Sequence, residues 1–235
     1  MSCFDSVCVV IPSFDPTEKL NEVVAGLVET GFDDIIVVND GSAESRRPAF
    51  ESIKKLPQCT VLEHPVNMGK GVALKTAFSH FVQTRSGKAG VVTADSDGQH
   101  LPEDVAKCAL AIIGSSDHVV MGVRDFSHPS APVRNSLGNR ITALSLRLLF
   151  GIKLRDTQTG LRGIPTRHVP MMLDIDGNRF EYETNMLLEL KRRSVPFFEV
   201  EIATVYEAGS NKRSHYRPVA DSARIFMCIF RYWRR

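Results

Sequence analysis

Short unbroken apolar runs rich in Val and Ile occur at residues 7–11, 35–38, 60–62, 90–94 and 118–122. Between them the apolar residues recur every three or four positions, as in Leu20, Val23, Val24 and Leu27. Runs of the first kind predict buried strands, and the helical spacing predicts helices over 17–30, 44–56, 71–84 and 102–113. Pro12 is expected to end the first strand, Gly31 closes the first helix, and Pro102 suits the first turn of the fourth. Strands that alternate with amphipathic helices build βαβ units, so the expected class is α/β, with a mainly parallel sheet sandwiched by helices. After residue 130 the alternation weakens into a long helix near 134–150, a polar stretch at 156–163, a helix at 181–193 and a strand at 197–204. Neither a linker nor an internal repeat interrupts the chain.

Composition narrows the class of protein. The 235 residues are 43% hydrophobic and 24% charged, which suits one globular domain with a full core and excludes a disordered or collagen-like chain. No apolar run approaches the ~18 residues of a membrane span. Asp5 precedes the first apolar run, without the basic flank and small-residue cleavage site of a signal peptide, so a cytoplasmic location is expected. Five cysteines, Cys3, Cys8, Cys59, Cys108 and Cys228, form no CxxC pair and read as buried thiols in a reducing compartment. The net charge of +2 is unevenly spread: residues 212–235 carry seven Lys or Arg against Asp221 alone, a local +6, which leaves −4 for the first 211 residues. A slightly acidic body argues against nucleic-acid binding. Aromatic and aliphatic residues interleave with the tail's arginines, so the tail is either a peripheral segment on an anionic membrane surface or a terminal helix packed on its own domain.

In a sheet of this kind ligands bind beyond the carboxyl ends of the strands, and the chemistry-bearing residues follow the strands. Asp95-Ser-Asp97-Gly-Gln99 comes directly after the strand at 90–94; continued extended geometry would aim Asp95, Asp97 and Gln99 the same way, an oxygen set suited to Mg²⁺ or Mn²⁺. The alternative is an Asp-rich turn capping the helix at Pro102. Asp40, followed by Gly41 and Ser42, is either a carboxylate open to a base or ribose, or a cap for the next helix with Ser42 as its rival. Lys70 sits between two glycines at a helix start, where free N–H groups favour an anion, yet the spacing matches neither a Walker loop nor G-x-G-x-x-G. Arg124 and Arg134 are candidate phosphate partners. The seven histidines lack H-E-x-x-H spacing and no G-x-S-x-G is present, which sets hydrolytic triads and zinc enzymes aside.

Taken in order, Val9-Val-Ile-Pro-Ser-Phe14, Val37-Val-Asn-Asp-Gly-Ser42, Asn67-Met-Gly-Lys-Gly71, Thr93-Ala-Asp-Ser-Asp-Gly-Gln-His100 and Gly122-Val-Arg124 resemble the family 2 glycosyltransferases. More narrowly the chain is similar to the dolichol-phosphate mannose synthase-like branch, whose members move a sugar from a nucleotide sugar to a polyprenyl phosphate. The likeness continues through Arg134-Asn-x-x-Gly-Asn139, Asp156-Thr-Gln-Thr-Gly-Leu-Arg-Gly163, Arg179-Phe-Glu-Tyr-Glu183 and Ser214-His-Tyr-Arg-Pro218. It implies a GT-A, Rossmann-like fold over residues 1–211 followed by the basic, aromatic segment 212–235, a divalent metal, Mg²⁺ or Mn²⁺, and an inverting displacement. Relatives with these motifs are often fused to or paired with a small multi-helix membrane domain, which implies a separate membrane-protein partner and a position on the inner face of the membrane.

Carried over position by position, the resemblance implies that Pro12 and Phe14 flank the nucleoside and that Asp40 binds base or ribose. Asp95 and Ser96 would line the nucleotide sugar, Asp97 and Gln99, with Asp95, would hold the metal, and Arg124 and Arg134 would engage donor diphosphate or acceptor phosphate. The family's usual Tyr is Phe14 here, its following acid is Pro16 with Asp15 or Glu18 as substitutes, and its late Lys is His215, with Lys212 or Arg213 as the alternative positive charge. A phosphate acceptor is already a nucleophile at neutral pH and needs no general base. An alcohol acceptor would need one, which Glu181 or Glu183 could supply, and this keeps open transfer to a saccharide hydroxyl. A non-catalytic nucleotide-sugar-binding protein is the alternative from another class.

Overall fold

The fold is that of a computed structural model in which residues 4–85, 87–115, 117–124, 133–203 and 218–234 are described. Seven strands form one sheet in the order β3-β2-β1-β4-β6-β5-β7. Five of them follow the expected apolar runs: β1 (Val7–Ser13), β2 (Ile35–Asn39), β3 (Cys59–Glu63), β4 (Gly90–Thr93) and β5 (Val119–Arg124); β7 (Phe197–Ile202) is the expected late strand. All neighbouring pairs among these six are parallel, whereas β6 (Arg162–Pro165) runs antiparallel to both β4 and β5.

The central strands are apolar on both faces because both faces are covered. Along β1, Cys8 and Val10 join one core while Val7, Val9 and Ile11 join the other, and along β2 Ile36 and Val38 oppose Ile35 and Val37 in the same way. The second core is closed by α1 (Lys19–Thr30), α2 (Arg47–Ile53) and α4 (Pro102–Gly114). The first is closed by α3 (Lys70–Thr84), α6 (Val169–Leu173), α7 (Glu181–Arg192), Leu146 of α5 (Val133–Phe150), and Ile225 and Ile229 of α8 (Pro218–Trp233).

Several boundaries differ from the sequence reading. β1 does not stop at Pro12: it pairs through Pro12 and Ser13 with Val38 and Asn39, since a proline near a strand end forfeits one donor without breaking the run. The helix expected over 44–56 is a 3₁₀ turn (Glu44–Arg46) followed by α2, because Pro48 fits only a first helical turn. The polar stretch 156–163 contains the start of β6, a strand that periodicity does not reveal. The described part of the tail, α8, is seated on its own domain through Ile225 and Ile229, yet it leaves Phe226, Met227, Phe230 and Trp233 exposed. Among the described residues no helix is long and apolar enough to cross a membrane.

Candidate active site

The site residues gather at the carboxyl ends of β1, β2, β4 and β5 and at the first turns of α3 and α7. Behind β1 and β2, two exits are laced together. The Asp15 N–H donates to Ser42 Oγ (2.9 Å), and Asp15 Oδ1 accepts the Ala43 N–H (2.8 Å), with Asp15 itself in the left-handed region at φ 45°. Gly41 is required here: at φ +69° a Cβ would lie 2.1 Å from the Val66 carbonyl carbon.

Asp40 is not open to a ligand. It is 2% exposed; Oδ1 accepts the Met68 N–H (2.9 Å) and lies 2.7 Å from His64 Nδ1, and Oδ2 accepts the Gly69 N–H (2.8 Å). The Nε2 of His64 in turn meets Thr76 Oγ1 at 2.9 Å. The expectation that the Gly41-Ser42 turn frees this carboxylate for a base or ribose is thereby corrected: the loop before α3 folds back and fills both oxygens. Pro12 is likewise buried inside β1, and Phe14 and Asp15 are the half-buried residues at its exit.

Asp40 sets the loop so that Lys70 starts α3. Its Nζ stands 2.7 Å from Asp95 Oδ1 and 3.0 Å from Glu183 Oε1. Burial works against the charged ammonium, but Asp95 and then Glu183 outweigh it and raise its pKa. The cradle is close-fitting, because a Cβ at Gly69 would come 2.4 Å from the Asn178 carbonyl oxygen and one at Gly71 2.7 Å from Tyr182 Cβ.

After β4 the backbone turns rather than staying extended, with Gly98 at φ +80°, so the continued extended geometry expected for Asp95, Asp97 and Gln99 is not what arranges them. Asp95 is held from several sides: Lys70 on Oδ1, His100 Nε2 at 4.0 Å from Oδ2, and its own N–H donated to His100 Nδ1 at 3.0 Å. Burial opposes its ionisation, yet Lys70 and then His100 bring its pKa down to about 2. Burial in turn lowers the pKa of His100. Asp95 is therefore an internal ion-pair partner in this structure and not an open metal ligand.

Asp97 has the opposite character. It is exposed, and its carboxylate accepts the Gln99 N–H (3.0 Å) and the Gln99 side-chain Nε2–H (2.7 Å). Desolvation, then the charge of Asp95, raise its pKa, the situation of a carboxylate that gains from a nearby cation. Among the described residues no group of three or more His, Cys, Asp or Glu could hold a metal by itself. The pair Asp97 and Gln99 still fits Mg²⁺ or Mn²⁺, hard cations that take one or two protein oxygens and complete their shell with water and phosphate oxygens.

Arg124 ends β5, and Asp156 receives it: Nε donates to Oδ2 at 2.7 Å and Nη2 to Oδ1 at 3.3 Å. The charge of Arg124 also acts on Asp95, after those of Lys70 and His100. Arg134 lies in the first turn of α5, its side chain outside the described part, and Lys212, Arg213 and His215 lie outside the described residues. Ser96 is half buried in the turn between Asp95 and Asp97. Glu181, one candidate base, accepts the N–H groups of Asn178 and Arg179 through Oε1 and so shapes the turn before α7.

Glu183, the other candidate base, and residues that the sequence left without a role complete the rim. Glu183 shares Lys70 with Asp95. A Cβ at Gly160 would lie 2.4 Å from Asp95 Oδ2, so that glycine admits the carboxylate, and Thr93 Oγ1 fixes the Gly160 carbonyl at 2.6 Å. Arg162 is 1% exposed and donates to the carbonyls of Thr159 and Glu183. The signal for Gly160 and Arg162 is the Asp156–Gly163 motif, whereas Thr93 and Glu183 belong to the motifs 93–100 and 179–183.

A parallel sheet with one reversed strand, helices on both faces and an Asp-x-Asp turn at the β4 exit is the GT-A architecture of nucleotide-sugar-dependent glycosyltransferases. The chain belongs to that class through one family: Glycosyl transferase family 2 matches residues 8–173. It is a glycosyltransferase of the hexosyltransferase kind. Among curated proteins it is 26% identical over 225 residues to the UDP-N-acetylglucosamine--dolichyl-phosphate N-acetylglucosaminyltransferase of Methanococcus voltae, covering 88% of each chain. It is 24% identical over 218 residues to a dolichyl-phosphate beta-glucosyltransferase of Trichomonas vaginalis, covering 83% of this chain and 64% of that one. Among solved structures it superposes with a TM-score of 0.70, at 16% identity, on glucosyl-3-phosphoglycerate synthase from Mycobacterium tuberculosis in complex with Mn²⁺, UDP and glucosyl-3-phosphoglycerate. That match covers 97% of this chain and 80% of the other.

Proposed function

We propose that the protein transfers a hexose from a nucleotide sugar of the UDP-glucose or GDP-mannose type to a polyprenyl phosphate at a membrane surface, with inversion and with Mg²⁺ or Mn²⁺. The observation that carries this reading is the contrast at the β4 exit, where Asp95 is locked by Lys70 and His100 while Asp97 and Gln99 face solvent together. The polyprenyl phosphate is supported by the dolichyl-phosphate substrates that two relatives' names carry.

Asp97 and Gln99 would hold the cation, which supplies neutralising charge to the departing diphosphate. A phosphate oxygen of the acceptor forms the bond to the sugar's anomeric carbon as the bond from that carbon to the diphosphate oxygen breaks. The electron pair leaves with the nucleoside diphosphate, and no proton has to be removed first. What the chain must do is align two anions, a task for Arg124 and Arg134 with Lys212, Arg213 or His215 as further positive charge. Lys70, between Asp95 and Glu183, sets one positive charge against the two carboxylates on the floor of the site.

The membrane part of the reading has support on two helices. Ile141, Leu144 and Leu148 are exposed along α5, and Phe226, Met227, Phe230 and Trp233 along α8, which packs against it; Arg140, Arg147, Arg231 and Arg234 are exposed around them. An apolar face with a cationic rim suits an anionic leaflet. The position on the inner face and a separate membrane-protein partner remain part of this proposal. The test is a panel of UDP-glucose, UDP-N-acetylglucosamine and GDP-mannose against a short polyprenyl phosphate, with Mg²⁺, Mn²⁺ or chelator. Sugar should enter the lipid phosphate only with metal; turnover on a saccharide or 3-phosphoglycerate alone would replace the acceptor.

A further inference from the structure

Two motifs of the sequence, 134–139 and 156–163, are separate along the chain and meet in the fold. Asn139 of α5 is 2% exposed. Its Oδ1 accepts both the Thr157 N–H (2.9 Å) and the Thr157 hydroxyl (2.8 Å), and its Nδ2 donates to the Arg155 carbonyl at 2.9 Å. One buried amide thus clasps the chain on either side of a single residue, Asp156.

That residue is wholly buried, with the Gln158 N–H on Oδ1 at 3.1 Å and Arg124 on both oxygens. The pairing is lopsided: the carboxylate side chain is 0% exposed while the arginine side chain keeps 18% exposure at the rim. A buried ion pair is a poor route to stability, since desolvation offsets the attraction. It is an efficient way to fix a guanidinium plane, because the two-pronged contact at Nε and Nη2 removes its rotation.

We propose that Asp156 is a positioning residue for Arg124, that Asn139 holds Asp156 in place, and that this chain of contacts fixes the guanidinium against the phosphates of the reaction. The inference rests on the proposed transfer reaction, in which Arg124 meets a phosphate. Misplacement of a positioned charge by about 1 Å is enough to cost ~100-fold in rate, so the orientation itself is worth holding.

The test is a double-mutant cycle on the full chain. Steady-state kcat and KM are measured with UDP-glucose or GDP-mannose, whichever the panel shows to be used, a short polyprenyl phosphate and Mn²⁺. Asp156→Asn is made in the wild-type and the Arg124→Ala backgrounds, and near-UV circular dichroism reports the folded fraction. Asp156→Asn should lower kcat about tenfold in the first background and less than twofold in the second, because nothing remains to orient. Asn139→Leu should show the same pattern with a smaller drop, and it carries the test if Asp156→Asn fails to fold. An equal drop in both backgrounds, or no drop where Arg124→Ala itself is impaired, overturns the positioning role and leaves the transfer reading standing. If Arg124→Ala turns over normally, the arginine's part in the reaction fails and the positioning role falls with it.

Discussion

Behind β2, Asp40 is 2% exposed and both its oxygens are filled by two backbone N–H groups and a histidine; behind β4, Asp97 is exposed and meets Gln99. Both follow a parallel strand, and both stand where such sheets bind ligands. The difference lies in what returns to them. The loop at 64–69 folds onto Asp40 and makes it a tie between β2 and α3, while Gly98 turns the chain at Asp97 outward and leaves it to what arrives from solvent. A satisfied buried carboxylate is a structural part; an exposed one beside a locked neighbour is available for binding.

The comparison breaks most sharply at Asp97. Asp97→Ala should lower transfer by at least ~100-fold, the scale of removing a principal charge-stabilising group, with a urea midpoint that does not fall, since ionised Asp97 opposes folding. Activity above a few per cent, with the metal dependence intact, would remove Asp97 from the cation. Asp40→Ala should do the reverse in kind: stability falls by about 3 kcal/mol, because the N–H groups of Met68 and Gly69 and the His64 ring lose their acceptor inside the protein. Urea denaturation checks it, and an unchanged midpoint would mean that the tie is not made in solution.

Gly160→Ala sits between the two. Its methyl group would press on Asp95, so stability should fall by about 1–3 kcal/mol and turnover with it, read from the urea midpoint and from kcat. The carboxyl carbons offer a finer probe by NMR titration. The native pKa of Asp95 is depressed to about 2, so its contribution to stability is full above the unfolded value of about 3.9 and is lost as pH falls towards 2. Asp97 is raised, so ionising it opposes folding and protonation on the acid side relieves that strain. Asp95 should therefore titrate below Asp97; the reverse order would contradict the Lys70 pairing. The smallest effect concerns the α5 and α8 face. Phe230→Ser with Trp233→Ser should weaken sedimentation with anionic vesicles several-fold, the loss of interfacial apolar area, while nucleotide-sugar binding stays unchanged. Removing residues 225–235 is a poorer probe, because Ile225 and Ile229 belong to the core.

The sheet was legible wherever a strand is buried on both faces, since a run such as Ile35-Ile-Val-Val38 has no other plausible use. β6 was not legible: Arg162-Gly-Ile-Pro165 begins with an arginine whose hydrogen-bond acceptors are the carbonyls of Thr159 and of Glu183 on α7, outside the strand itself. The motif residues were legible as a set through their order. Their duties were less so, because these depend on distant partners: Asp40 on the N–H of Met68, Asp95 on Lys70 and Gly160, Arg124 on Asp156. Glu183 shows the same limit, read first as a base for an alcohol and found sharing Lys70 with Asp95.

The central claim is that Asp97 and Gln99 serve a sugar transfer to a lipid phosphate. Its most direct measurement is ³¹P NMR of a short polyprenyl phosphate incubated with the protein, Mn²⁺ and a nucleotide sugar. The account predicts that the monoester resonance gives way to a phosphodiester as nucleoside diphosphate accumulates in equal amount, and that neither change occurs with chelator or with Asp97→Ala. An unchanged monoester beside released free sugar, or a phosphodiester formed equally well by Asp97→Ala, would contradict it.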